Sequence, residues 1–362
     1  MGRGLSKRVD ERIHALLSSA AERGAAATAP DRATAAALAR RVARGNLVSP
    51  LPGAYADAEL WASLERRPDL RALMLARAAT ELHPDWTFCH ATAALAHDLR
   101  VSYRLLDRLN VTSVPPHRPS LPPTASCHYV RNPEPILVDG VRATSLRMTT
   151  LDFLRTYEPH EGLIVADAAL TKSGMIASQL VEELRAVGAG LPGISRALSV
   201  ASYADSRAES GAESMARAMM IRLRYTLPEL QVWVANPLDD RHPFRVDCLW
   251  ILADGTVVIC EVDGQEKRRN EEMTKGKSTD RLVWEERQRE SLLSVTGARI
   301  VRLSSDDVRS ERTVAHRLDA FGVPRAGTPE GREIMRPDSA MHGGRPAPGG
   351  AVIRDGWLRY ER

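Results

Sequence analysis

Phe244-Arg-Val-Asp247-Cys-Leu-Trp-Ile251 and Thr256-Val-Val-Ile-Cys-Glu261-Val-Asp263-Gly264, joined through Ala253-Asp-Gly255, decide how this chain is read. Both stretches are rich in apolar and β-branched residues and are bounded by turn residues, the pattern of buried strands. Asp-Gly between two such runs is a hairpin signal. Each strand also carries carboxylates where apolar side chains are the rule. A buried carboxylate is costly unless it is paired or coordinates a metal. The hairpin brings Asp247 near Glu261, and Glu261 and Asp263, two apart, face the same side of the sheet.

Upstream, Glu209-Ser-Gly-Ala-Glu213 opens a helix that continues through Met215, Met219, Ile221 and Leu223. Glu209 and Glu213 are four apart, so the spacing predicts one helical face for both. Carboxylates converging from two strands and a helix suit Mg2+ or Mn2+. Such an ion takes hard oxygen ligands and keeps waters that can be activated for phosphodiester attack. The expected metal ligands are Asp247, Glu261 and Glu213, with Asp263 beside them as a catalytic carboxylate. Taken singly, each piece is an ordinary strand end or a solvated helix start. The three in this order, with a strand–turn–strand between, point to catalysis-capable architecture. Downstream, Lys267 either orients water and stabilises the developing phosphorane charge or begins a solvated basic segment with Arg268, Arg269, Lys275 and Lys277.

At the front, residues 7–23 have amphipathic helical spacing through Val9, Ile13, Leu16 and Leu17. A second helix is predicted from an Asp31 N-cap to Arg44, stopped by Gly45. Asn46 to Tyr55 then reads as strand, Pro-Gly turn and strand. Helices followed by a hairpin are the parts of a winged helix, whose second helix enters the major groove. That helix carries Arg40, Arg41 and Arg44, which are either phosphate contacts or a solvated basic face. The hairpin itself has no Lys or Arg.

Between these ends, residues 61–195 are expected to form a mixed α/β domain. Helices are expected near 69–82, 91–99, 148–157, 161–171 and 175–188. Strands are expected at Leu109 to Val114, Cys127 to Val130 and Ile136 to Val138, the last before an Asp139-Gly140 turn. His90 and His97 can share a helical face, but no third ligand is spaced to complete a metal site, so core or capping roles fit them better. The four cysteines form no Cys-x-x-Cys pair, which argues against structural zinc and for buried thiols. The stretch 322–350 is Gly/Pro-rich and is expected to be flexible, with a terminal hairpin around Asp355-Gly356.

Apolar residues at 43%, charged residues at 27% and no apolar run long enough to span a bilayer predict a cytoplasmic protein with no membrane partner. The net charge of +4 is too small to establish a nucleic-acid partner by itself.

The set Glu209-Ser-x-x-Glu213, Arg245-Val-Asp247 and Glu261-Val-Asp263-Gly264 resembles the very-short-patch-repair-like branch of the PD-(D/E)xK endonuclease superfamily. Glu286 to Leu303 resembles that branch's closing helix and strand. The resemblance implies a central sheet flanked by helices, with Asp247 and Glu261 as metal ligands. The superfamily's lysine is replaced by Asp263, and Gln265-Glu266-Lys267 stands where the branch tends to carry a histidine. In front, Arg44-Gly-Asn-Leu-Val48 with Gly53-Ala-Tyr55 resembles the winged helix of abortive-infection type IV antitoxin-like proteins. Phe88 to Leu95, Val141 to Ser145 with Thr150-Leu-Asp152, and Ala166 to Leu170 are similar to the segment that follows that wing. This implies DNA binding, autoregulation and, in true antitoxins, a nucleotidyltransferase toxin as partner.

The expected fold is therefore α/β of the α+β kind. It comprises a winged helix over 1–60, an antitoxin-like middle domain over 61–195, an endonuclease-like domain over 196–322 and a tail over 323–362. The expected function is Mg2+-dependent phosphodiester hydrolysis of DNA. Its rival is a non-catalytic regulator or antitoxin with a degenerate nuclease fold.

Overall fold

Ala-rich, glycine-punctuated sequence makes the first half mostly helical, and β-branched runs make the second half a sheet. The computed structural model describes residues 2–113, 121–236, 238–239, 241–263, 279–295, 297–332, 351–354 and 357–360. Lys267 and the stretch 333–350 lie outside the described residues. The chain divides into two compact units, Met1–Ala204 and Asp205–Arg362, both mixing helices and strands. Among the described residues, no helix is long and apolar enough to cross a membrane.

The first unit opens with α1 (Gly2–Glu22), β1 (Ala27–Thr28), α2 (Arg32–Ala43), β2 (Leu47–Leu51) and β3 (Ala54–Asp57). Asp31 caps α2 as its sequence predicts, its carboxylate accepting the Thr34 N–H at 2.7 Å. Gly53 turns β2 into β3 at φ +84°, a value that glycine adopts without strain. β3 lies between β1 and β2 in an antiparallel sheet, and Ile13, Ala37, Leu38 and Leu47 bury a small core beside it. The two-residue β1 carries no periodic signal and was not expected.

There follow α3 (Ala58–Ser63), α4 (Pro68–Leu82), α5 (His90–Ala96), β4 (Leu109–Ser113), β5 (Ala125–Tyr129), β6 (Pro135–Val138) and β7 (Val141–Thr144). β4 pairs parallel with β5, and β6 pairs antiparallel with β7. The Phe88 backbone bridges to both Val111 and Ala143 and its side chain is fully buried, so one residue ties together strands from both pairs. α6 (Leu146–Thr156), α7 (Pro159–Ser173), α8 (Ala177–Gly188) and α9 (Ile194–Ala201) complete the unit. The histidines take core roles. His97 Nε2 lies 2.8 Å from the Thr144 carbonyl, and His90 packs against His128 with ring centroids 4.2 Å apart.

The second unit runs α10 (Gly211–Arg222), β8 (Glu229–Val234), β9 (Phe244–Ile251), β10 (Val257–Asp263), α11 (Thr279–Val295), β11 (Arg299–Ser304) and α12 (Glu311–Ala320). It ends in α13 (Pro329–Arg332), β12 (Ala351–Arg354) and β13 (Trp357–Tyr360). The sheet order is β11-β10-β9-β8-β13-β12, with β8, β9 and β10 antiparallel in turn and β11 parallel to β10. Gly255, at φ +84°, closes the predicted β9–β10 turn, and Asp254 accepts the Thr256 N–H at 2.9 Å. Val232, Leu249, Ile251, Val257, Ile259 and Leu293 form the apolar core, each buried aliphatic side chain contributing roughly 1.5–3 kcal/mol.

Candidate functional site

The β9–β10 register pairs Cys248 with Cys260, Leu249 with Ile259 and Trp250 with Val258. The pairing stops there, and Asp247 and Glu261 are the next residues along the two strands, where the Asp247 side chain takes the Val262 N–H. Both are buried, and so is Glu213 at the start of α10.

Each carboxylate is engaged by protein donors. Asp247 Oδ2 accepts the Val262 N–H at 2.9 Å, and its Oδ1 lies 3.4 Å from the Gln231 amide. Glu261 is ion-paired with Arg289 of α11 at 2.7 Å, and the same guanidinium donates to the Arg245 carbonyl at 2.6 Å. Glu213 first serves its own helix. Ser210 Oγ accepts the Glu213 N–H at 3.1 Å and donates to Glu213 Oε1 at 2.8 Å, a reciprocal N-terminal cap. Glu213 Oε2 accepts from the Glu209 N–H at 2.8 Å and from Gln231 Nε2 at 3.0 Å.

The sequence expectation for Glu209 needs correction. Ser210 is the N-cap, so Glu209 precedes the helix and shares no helical face with Glu213. Its half-exposed side chain pairs instead with Arg245 at 2.7 Å. Asp263 follows Glu261 by two positions on β10, is one-third exposed and lies 3.8 Å from Arg302 of β11. Gln231 and Arg289 were absent from the sequence-derived site. The Arg289 contact with Glu261 spans 28 residues, and no local spacing announces it.

Among the described residues, no group of three or more His, Cys, Asp or Glu side chains is spaced to hold a metal ion. The donor chemistry nonetheless suits Mg2+ or Mn2+, since Asp247, Glu261 and Glu213 offer carboxylate oxygens and no thiolate or imidazole. Cys248 and Cys260 oppose each other one residue further along the strands. The Cys260 contact and full burial push the Cys248 thiol well above its ordinary range, which makes it inert. Cys89 is also buried, whereas Cys127 is exposed, contrary to the expectation of four buried thiols. On β5 it shares a face with the exposed Tyr129.

In the first unit, Arg40 and Arg44 on and just after α2 are exposed. Arg41 is half-buried, paired with the Asp10 carboxylate and donating to the Ala37 carbonyl. The predicted trio is therefore two outward arginines and one that ties α2 to α1. No protein-family model matches the chain, and no curated protein matches it.

Proposed function

We propose that the second unit hydrolyses phosphodiester bonds of DNA with Mg2+ or Mn2+. The carrying observation is the trio of buried carboxylates, two on adjacent strands and the third linked to Asp247 through one amide. Burying three carboxylates together opposes folding unless their charge has a use. The order helix, three antiparallel strands, helix, parallel strand supports the endonuclease-like layout that the motif resemblance implies.

Asp247 and Glu261 would hold the ion, with Glu213 contributing through its tie to Asp247. When bound, the ion supplies an activated water and neutralises charge on the phosphate. The Val262 N–H fixes the Asp247 carboxylate within the sheet. Arg289 balances Glu261 and, on turning away from it, offers a planar donor fork suited to a phosphate oxygen. Asp263 stands at the more exposed end of β10, where it can orient water. Lys267, outside the described residues, keeps its proposed role of orienting water or stabilising the developing charge. Supercoiled plasmid incubated with the purified protein should be nicked or linearised only when Mg2+ or Mn2+ is present. Absence of cleavage with either ion, on any DNA form, rejects the enzyme.

The second reading is a DNA-binding regulator or antitoxin, with a nucleotidyltransferase toxin as its partner. The Arg289–Glu261 pair favours it, because a guanidinium already balances one expected ligand. Either reading uses the first unit on DNA, with the winged-helix-like start supplying Arg40 and Arg44. If each neutralises one phosphate, the Arg40→Ala/Arg44→Ala variant should flatten the slope of log K against log[salt] by about two. Arg41→Ala should leave that slope nearly unchanged and loosen α1 instead. Equal slopes for the double variant and the wild type would take α2 off the DNA.

A further inference from the structure

Gln231 sits in the middle of β8 with its backbone at φ +55°. Among the described residues, it is the non-glycine of positive φ that lies inside a strand. Such a conformation is held at a cost, and positions of this kind collect at functional sites. The register does not shift around it: Leu230 pairs with Cys248 and Val232 with Val246. Gln231 thus stands across from Asp247, and its strain serves neither a bulge nor a strand end. Its amide reaches two buried carboxylates, Glu213 Oε2 at 3.0 Å and Asp247 Oδ1 at 3.4 Å. An amide brings two N–H donors and no net charge. It therefore links two anions without cancelling the charge that a cation would seek, as Arg or Lys would, and without adding a third, as Glu would.

We infer that Gln231 is a positioning residue, holding Glu213 and Asp247 in fixed relation for a divalent cation while touching neither ion nor phosphate. The inference rests on the ion-site reading above. Partners that orient metal ligands typically change metal affinity 10–100-fold when removed. Calorimetric titration of Mn2+ into the full-length protein, with thermal melting in its absence, tests this for wild type, Gln231→Ala, Gln231→Gly and Asp247→Asn. Both Gln231 variants should bind Mn2+ about tenfold or more weakly. Gln231→Gly should melt above Gln231→Ala, because both lose the amide and glycine alone adopts φ +55° without strain. A merely structural role would make affinity follow stability, so recovery of Mn2+ affinity in Gln231→Gly relative to Gln231→Ala overturns the inference. Wild-type affinity in both variants also overturns it while leaving the ion site standing. If the wild type takes up no Mn2+, the ion site fails, and the positioning role fails with it.

Discussion

Asp247→Asn should lower Mg2+- or Mn2+-dependent DNA cleavage by on the order of a hundredfold or more while the protein stays folded. An ion at this site supplies several kcal/mol of transition-state stabilisation, and each ~1.4 kcal/mol is tenfold in rate. Asparagine keeps the shape of aspartate, and its one oxygen can still accept the Val262 N–H that Asp247 accepts at 2.9 Å, losing only the longer contact with the Gln231 amide at 3.4 Å. What it removes is one negative charge from a buried group that includes Glu213 and Glu261. The melting temperature should therefore hold or rise as activity falls, the opposite of ordinary core damage. Cleavage assays beside thermal melts read both quantities. Equal cleavage by wild type and Asp247→Asn would place the chemistry elsewhere.

Acid should weaken the first unit through His90. Burial first, then His128 and Arg155, push its pKa down from 6.5 to about 3. Below pH 6.5 the unfolded chain takes up a proton that the folded chain refuses. Stability is therefore lost as pH falls from 6.5 towards 3, at about 1.4 kcal/mol per pH unit for one such group. Above pH 6.5 this group adds no slope. His97 and His128 are lowered by burial too, so they act with the same sign. His90→Asn does not titrate and tolerates the left-handed backbone that His90 holds at φ +50°. Urea denaturation of the two proteins at pH 7 and pH 5 should show the variant losing roughly 2 kcal/mol less on acidification. Parallel losses would mean that the His90 ring is protonated inside the fold.

The site was legible where local pattern dictates structure. Asp-Gly flanked by β-branched runs gave the β9–β10 hairpin, and with it two neighbouring strands that carry Asp247 and Glu261. The strand Glu229–Val234 alternates buried and less buried residues, but its lone Gln231 reads in sequence as a polar position facing solvent. Its importance comes from a backbone angle and from two carboxylates reached through space, neither of which spacing encodes. Arg289 was hidden for a related reason. It sits on a helix with two other arginines, Arg281 and Arg287, and only the packing of α11 near β10 selects it for Glu261. Glu209 falls outside the helix because Ser210 is the stronger N-cap, so the helix starts after it. In the first unit, α2 and the β2–β3 hairpin followed from their cap and turn residues. The pairing of Arg41 with Asp10 depends on how two helices pack, and so stayed out of view.

The strand β13, laid parallel against β8 through Trp357 with Trp233 and Leu358 with Val234, has a consequence for self-association. Without it, the Trp233–Val234 end of β8 would present unsatisfied N–H and C=O groups, a template on which another chain can add. With β13 and β12 in place, that flank of the sheet ends in a strand of four residues, too short to recruit a long partner. The β12–β13 pair thus guards the Trp233–Val234 end of β8. Removing it should raise edge-to-edge association, read by light scattering.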